Sequence, residues 1–186
     1  MKIKKLIALI LALTVILSAL YFSTVSVLKL LYPLKYEDYV EVYAEKNNLS
    51  PAFVYAVIDC ESGFDNEAVS KVGATGLMQI MPDTFRWLST KLGENADYSM
   101  ATDPETSIKY GCYYYSYLSS RYGRVQEVLA AYHAGLGNVD KWLKDSRYSS
   151  DGETLHTTPF PATNQYIKKV MSTEKIYQNL YFRKEQ

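Results

Sequence analysis

The sequence predicts an all-α fold, in which one apolar N-terminal helix precedes a helical domain. Apolar residues make up 48% of the 186 residues, which is enough to build one buried core. Apolar side chains recur at three- and four-residue spacing along most of the chain, whereas no long alternating strand pattern is present. A small sheet or hairpin in residues 145–163 is the only β-structure that the pattern allows, so the class is α+β at most.

The first segment has the composition of a membrane anchor. Residues 1–34 contain four lysines and no acidic residue, and the uncharged 23-residue run Leu6–Leu28 follows three of these lysines. As a helix this run extends about 34 Å, enough to cross a hydrocarbon core of about 30 Å. We expect residues 1–34 to be an uncleaved single-pass anchor in the cell membrane. Three of the lysines precede the span, so residues 35–186 should lie outside the cytoplasm. A cleaved signal peptide is the alternative.

The domain after the anchor is mildly acidic. Once the four N-terminal lysines are set aside, 16 basic residues remain against 20 acidic ones. Binding to nucleic acid requires a basic surface. We therefore expect no nucleic-acid partner.

The cysteines and histidines are few and widely spaced. Cys60 and Cys112 both fall in predicted helices, and two alternatives remain open: a disulfide in an oxidising compartment or two buried free thiols. The remaining candidate ligands, His133 and His156, do not complete a metal-binding pattern. We expect neither a metal site nor a cofactor.

Capping signals divide the domain into helices. Helical spacing predicts a helix over residues 36–44. Ser50 and Pro51 begin the next one, with serine as the N-cap and proline in the first turn. This second helix, over residues 51–61, is apolar on almost every side and must therefore lie in the core.

The remaining elements follow from the same signals. Residues 63–79 contain three glycines and predict a loop, and residues 145–163 are expected to be irregular. Further helices are predicted from Pro82 to Gly93, from Asp103 to Gly123, and over residues 125–134, 138–144 and 164–181.

Glu61 is the candidate catalytic residue on physical grounds alone. It ends the most apolar predicted helix, where burial and the negative end of the helix dipole both disfavour a carboxylate. Both effects raise its pKa, as a general acid near neutral pH requires. The alternative is that Glu61 lies in an exposed last turn. The chain carries no nucleophile elbow, phosphate-binding loop or zinc-protease motif.

Four short motifs, in this order, resemble the lytic transglycosylase family, in the branch of soluble lytic murein transglycosylase catalytic domains and goose-type lysozymes. They are Glu61-Ser62-Gly63-Phe64, Ser70 with Gly73-Ala74-Thr75-Gly76-Leu77-Met78-Gln79-Ile80-Met81-Pro82, Ala131-Tyr132-His133-Ala134-Gly135, and Pro161-Ala162-Thr163-Asn164-Gln165-Tyr166-Ile167. The resemblance covers residues 36–181 and implies a compact, lysozyme-like helical domain.

The resemblance also implies roles for individual residues. Glu61 is the single catalytic acid and base, supported by Ser62 and Gly76. Tyr132 is expected to hydrogen-bond Glu61 and to orient it. The residues implied to line the sugar groove are Ser70, Gln79, Met81, Tyr132, His133 and Tyr166. His133 departs from the family, which usually has asparagine there; histidine is larger and can titrate near pH 6.5.

The implied reaction cleaves the β-1,4 bond between N-acetylmuramic acid and N-acetylglucosamine in peptidoglycan. Because Glu61 has no obvious second carboxylate, attack by the substrate's own C6 hydroxyl is expected, which leaves 1,6-anhydro ends. A hydrolytic muramidase, a chitin-cleaving enzyme and a non-catalytic peptidoglycan-binding module are the alternatives. The expected partners are glycan strands and the membrane, with cell-wall or secretion machinery as a further option.

Overall fold

The computed structural model describes residues 2–183, and within this range the fold is all-α, as the sequence predicts. A 3₁₀ helix, Tyr98–Thr102, lies between the fourth and fifth α-helices. The α-helices are α1 (Lys2–Leu31), α2 (Glu37–Lys46), α3 (Pro51–Ser62), α4 (Pro82–Lys91), α5 (Pro104–Arg121), α6 (Val125–Ala134), α7 (Leu136–Leu143) and α8 (Pro161–Tyr181).

The predicted boundaries agree with these helices to within a few residues, and three details differ. α8 begins at Pro161 rather than at residue 164, because proline is well suited to a first turn. α7 begins at Leu136, directly after Gly135, rather than at residue 138. The Ser50 backbone is extended as in an N-cap, but its hydroxyl makes no capping hydrogen bond.

The hairpin allowed for residues 145–163 does not form in the described chain. Local turns occupy this segment instead. The Asp151 carboxylate accepts the backbone N–H groups of Glu153 and Thr154 at 2.9 and 2.7 Å. These bonds close a tight turn, and no strand is assigned on either side of it in residues 145–163.

Helix α3 lies at the centre of the core. Residues 52–58 are all buried, which agrees with their uniformly apolar sequence. The helix packs most extensively on α8 and also on α2. Phe53 meets the Tyr115 ring of α5 edge to face at 5.0 Å, and Tyr55 stacks on Tyr177 of α8 at 5.4 Å. Only the last turn of α3 reaches the edge of the core.

Helix α1 is apolar, exposed and long enough to cross a membrane. Residues 3–31 form a candidate span with a mean hydropathy of 2.5, and none of it is buried. Its C-terminal end is held by tyrosines from the end of α8. The Tyr181 hydroxyl donates to the Tyr32 carbonyl at 2.8 Å, and the rings of Tyr32 and Tyr177 meet at 5.8 Å. The connection between α1 and α2 is therefore packed against the domain.

The loop between α3 and α4 is pinned to its neighbours at several points. The Tyr98 hydroxyl lies 2.7 Å from the Gly73 carbonyl and 2.9 Å from the Ile80 carbonyl. The Met78 side chain rests on Gly111 of α5, where any added Cβ would meet its sulfur. These contacts hold the loop in one position beside the end of α3.

Both cysteines are free thiols. Cys112 is buried in α5, and the Cys60 sulfur lies 3.8 Å from the Thr173 hydroxyl. Of the two alternatives left open by the sequence, the structure has the free thiols.

We predict that Gly76→Ala destabilises the domain by about 3 kcal/mol or more. Gly76 has φ +84°, and an added Cβ would lie 1.9 Å from the backbone oxygen of Ala101. Gly137→Ala is the matched control, because nothing lies within 4 Å of its added Cβ. In α7 that control should be neutral or stabilising by up to about 1 kcal/mol. Urea unfolding measures both, and equal midpoints would contradict the prediction.

Candidate active site

The candidate site is built around Glu61, in the last turn of α3. Helix α8 crosses this turn and brings Tyr166 to the carboxyl group, where its hydroxyl donates to Glu61 Oε1 at 2.6 Å. The next residue, Ser62, has its hydroxyl 2.9 Å from the Leu77 carbonyl and 3.2 Å from the Ile58 carbonyl. These contacts join the end of α3 to α8 on one side and to the following loop on the other.

Burial changes the protonation of Glu61. Desolvation raises its pKa from 4.5 to about 7, while the Tyr166 hydrogen bond and the Lys169 charge oppose the rise. The folded state therefore holds this proton more tightly than the unfolded chain. The stabilising contribution is complete below pH 4.5 and is lost as the pH rises through about 7. Near neutral pH the group can donate a proton and then accept one.

No carboxylate in the described part of the chain shifts the pKa of Glu61. Lys169, one turn after Tyr166 on α8, is the only charged group there that shifts the Glu61 pKa. Its ammonium donates to the Cys60 carbonyl at 3.4 Å. Asp65 and Glu67 are exposed, and the Asp65 carboxylate accepts the Glu67 N–H at 3.0 Å, within their own loop.

A buried tyrosine pair supports Tyr166. The Tyr115 hydroxyl lies 2.9 Å from the Tyr166 hydroxyl. Tyr166 has one hydroxyl proton and gives it to Glu61, so Tyr115 is the donor in this pair. The Tyr115 ring in turn stacks on Tyr132 with centroids 4.1 Å apart and planes 9° apart.

The expectation that Tyr132 hydrogen-bonds Glu61 is wrong. Stacked on Tyr115, the Tyr132 ring directs its hydroxyl to the Met78 carbonyl, to which it donates at 2.6 Å. Tyr166, expected only to lie near the groove, contacts the acid directly. Tyr132 instead ties α6 to the loop.

Four of the residues predicted to bind sugar line one cavity of about 280 Å³: Gln79, Met81, Tyr132 and His133. The cavity lies beside Tyr166, since the His133 ring contacts the Tyr166 ring at 4.6 Å. Ser70 does not line this cavity. Its hydroxyl accepts the Ala74 N–H at 2.9 Å and so closes the glycine-bearing turn.

Two cavity residues are held by specific contacts. Gln79 has φ +48°, an unusual value for a side-chain-bearing residue, and its amide donates to the carbonyls of Ala68 and Gly76 at 3.0 Å. His133 Nδ1 lies 3.1 Å from the Thr163 hydroxyl, and burial lowers the pKa of its imidazole. His133 therefore links α6 to the start of α8.

Sequence reasoning missed three residues of this arrangement. Tyr115 orients Tyr166, Lys169 acts on the charge of Glu61, and Tyr114 lines the cavity. The available signals were weak. Lys169 follows Tyr166 by three residues and so shares its helix face. Tyr114 and Tyr115 lie within the run Tyr113-Tyr114-Tyr115, a pattern that is typical of an ordinary buried helix.

Comparison with known proteins yields one consistent family. Residues 38–154 match the transglycosylase SLT domain. The chain is 33% identical over 159 residues to the soluble lytic murein transglycosylase of Salmonella typhimurium. This alignment covers 83% of this chain and 24% of that protein. It is 27% identical over 169 residues to a membrane-bound lytic murein transglycosylase C of Edwardsiella ictaluri, with coverage of 78% and 47%.

A solved structure shows the same fold. The crystal structure of the 70-kDa soluble lytic transglycosylase of Escherichia coli aligns with a TM-score of 0.73 and 29% identity, over 85% of this chain and 26% of that one. The chain thus spans about a quarter of the length of the soluble relatives that it matches.

We predict that Tyr166→Phe raises the pKa of Glu61 above about 7, whereas Tyr132→Phe leaves it unchanged. Tyr166 donates a hydrogen bond that favours the carboxylate, and its loss favours the protonated form. Tyr132→Phe is the matched control, since it removes one hydroxyl from the same aromatic stack without touching Glu61. Carbon-13 NMR titration of the Glu61 carboxyl measures its pKa in both variants. A pKa shift in the Tyr132 variant alone would contradict the conclusion that Tyr166 is the residue that hydrogen-bonds Glu61.

Proposed function

This chain belongs to the transglycosylase SLT domain family, and we propose that its domain cleaves the glycan strands of peptidoglycan. The observation that carries the proposal is the state of Glu61. Its carboxyl group is largely desolvated, has a pKa near neutrality and is hydrogen-bonded by Tyr166, whose ring contacts His133 of the cavity wall. These are the properties of a general acid that must also serve as a base.

The bond cleaved is proposed to be the β-1,4 linkage between N-acetylmuramic acid and N-acetylglucosamine. In the first step, protonated Glu61 donates its proton to the glycosidic oxygen as the bond to C1 of the muramic acid breaks. The N-acetyl oxygen of that sugar stabilises the positive charge at C1. The leaving strand then carries the proton as a free hydroxyl, and Glu61 is a carboxylate.

In the second step, the C6 hydroxyl of the same muramic acid attacks C1 and gives its proton to the Glu61 carboxylate. A 1,6-anhydro sugar forms and no water is consumed. A well-oriented internal hydroxyl has an effective molarity of roughly 10⁵–10⁸ M, far above the concentration of bulk water. Among residues 2–183, no carboxylate is one of the charged groups that act on Glu61, which supports this single-acid route.

The neighbouring residues are proposed to position the acid and the sugar. Tyr166 orients the Glu61 carboxyl and stabilises its charged form. Gln79, Met81, Tyr132 and His133 line the cavity in which a sugar ring would lie, and Ser62 and Gly76 support the adjoining loop. Ser70 acts indirectly, because its hydroxyl closes the glycine-bearing turn within this loop.

Residues 1–34 are proposed to anchor residues 35–186 at the outer face of the cell membrane. Helix α1 is apolar and exposed along its length, as a lipid-facing helix must be. One relative of this chain is named as membrane-bound. Held there, the domain would act on glycan strands near the membrane, either in wall remodelling or for a wall-spanning machine.

We predict that Glu61→Gln lowers clearing of purified peptidoglycan by at least about 1,000-fold while the helical circular dichroism spectrum is unchanged. Glutamine keeps the shape of the side chain but can neither donate nor accept the reacting proton. Glu67→Gln is the control, since this exposed loop carboxylate lies outside the cavity. Clearing that persists in the Glu61 variant would refute the mechanism and favour a different catalytic group.

We predict that the muramic acid ends released by the full chain are lighter by one water than reducing ends. Intramolecular attack at C1 retains no water in the product, whereas a hydrolytic muramidase adds one. Mass spectrometry of the released muropeptides measures the difference, and a hydrolytic lysozyme treated in parallel provides the reducing-end reference. Reducing ends as the main product would replace the anhydro route with a hydrolytic one.

A further inference from the structure

A second aromatic cluster lies on the surface between α4 and α5, at some distance from Glu61. It consists of Trp87, Tyr114 and Tyr117, and we call it the aromatic shelf. The Trp87 ring meets Tyr117 at 4.9 Å and Tyr114 at 5.9 Å, in both cases edge to face. The two tyrosine rings are nearly parallel, with 15° between their planes. All three residues are half-buried, so part of each remains accessible.

The polar atoms of the shelf are free to bind a ligand. The Trp87 indole N–H and the hydroxyls of Tyr114 and Tyr117 make no hydrogen bond to any residue between 2 and 183. None of these atoms is among the buried polar groups that lack a partner in that range. Solvent therefore reaches them, and a bound molecule can replace that solvent.

The shelf lines a cavity of about 320 Å³ that adjoins the candidate active site. Leu136, Asp83 and Thr84 complete its walls. Tyr114 and Thr84 also line the 280 Å³ cavity beside Tyr166, and the Tyr114 ring lies 5.3 Å from the Tyr132 ring. The two cavities are therefore successive parts of one groove, which runs from His133, in contact with Tyr166, to Trp87.

We propose that the aromatic shelf binds a further sugar of the same glycan strand, beyond the sugars at the bond that is cleaved. This inference rests on the proposed function. A pyranose ring presents a C–H face, which packs on aromatic rings, and a rim of hydroxyls, which suits the indole N–H and the two phenols. The site would make binding depend on strand length, because a strand that fills both cavities makes more contacts than a disaccharide held at the cleavage site.

Charged side chains flank the shelf, and one of them can accept hydrogen bonds from a sugar. Asp83 is the acidic residue at the shelf, and it forms an exposed ion pair with Arg86. The Lys91 ammonium lies 5.8 Å from the centroid of the Trp87 ring. Sugar hydroxyls can donate to the Asp83 carboxylate.

The two tryptophans of the chain allow a direct test. Trp87 is half-buried, whereas Trp142 is buried in α7. With Glu61→Gln present to prevent cleavage, Trp142→Phe leaves Trp87 as the only tryptophan in the full chain held in detergent micelles. We expect peptide-free glycan strands of several disaccharides to shift the Trp87 emission to shorter wavelength and to protect it from acrylamide. A single disaccharide should do neither, and in the matched Trp87→Phe protein the Trp142 emission should not change.

Binding measurements provide a second test of the sugar site. Trp87→Ala should weaken binding of long strands by about threefold to tenfold and leave binding of a single disaccharide unchanged. Tyr39→Ala, which removes an exposed aromatic ring of α2 outside the groove, should change neither. Circular dichroism and the disaccharide affinity together show that a Trp87 variant is folded.

The possible failures are distinct. Long strands that bind with full affinity to Trp87→Ala, or that leave the Trp87 emission unchanged at saturation, would overturn the sugar site alone. A response only to strands that carry stem peptides would overturn it in favour of a peptide site. Strands that bind to no variant at all would refute the proposed function itself.

Discussion

The burial of α3 is the constraint on which the rest of the site depends. Residues 52–58 are apolar on every side, so neighbouring helices must surround them. The same packing carries over to the last turn, where α8 covers Glu61 and removes water from its carboxyl group. The pKa of about 7 therefore comes from the position of the helix end and not from a neighbouring negative charge. If α3 were amphipathic, its last turn would be exposed, and the pKa of the Glu61 carboxyl would return to that of an ordinary glutamate.

A chain of tyrosine contacts extends this constraint across the domain. Glu61 accepts from Tyr166 of α8, Tyr166 accepts from Tyr115 of α5, and Tyr115 stacks on Tyr132 of α6, which donates to the loop at Met78. When Glu61 is a carboxylate, Tyr166 gives its one hydroxyl proton to the acid, and Tyr115 is then the donor to Tyr166. The acid is thus positioned by four helices and a loop, and a buried tyrosine remote from Glu61 can alter its orientation. The tyrosines of the core therefore orient the acid in addition to filling the interior.

The sequence predicts the helices and the acid well because both depend on local signals. Prolines mark the starts of α3, α4, α5 and α8, and the uniformly apolar run 52–58 is enough to place Glu61 at the edge of a core. It does not reveal which tyrosine reaches the acid. Tyr132 lies on α6 and Tyr166 on α8, and the stack of Tyr132 on Tyr115 accompanies the hydrogen bond that it donates to Met78 instead of Glu61. That stack joins residues from different helices, and no spacing along one helix encodes it. The aromatic shelf was missed for the same reason, since Trp87 and Tyr117 come from different helices.

Helix α8 connects the acid to the N-terminal segment. Near its start Tyr166 contacts Glu61, and near its end Tyr181 binds the Tyr32 carbonyl at the end of α1. At 1.5 Å per residue these two tyrosines are separated by about 22 Å along one continuous helix. Because residues 32–36 are packed on the domain and do not form a long linker, the distance between the acid and the end of α1 is set by α8. In the proposed membrane-anchored protein, α8 would therefore also set the distance of Glu61 from the end of the span.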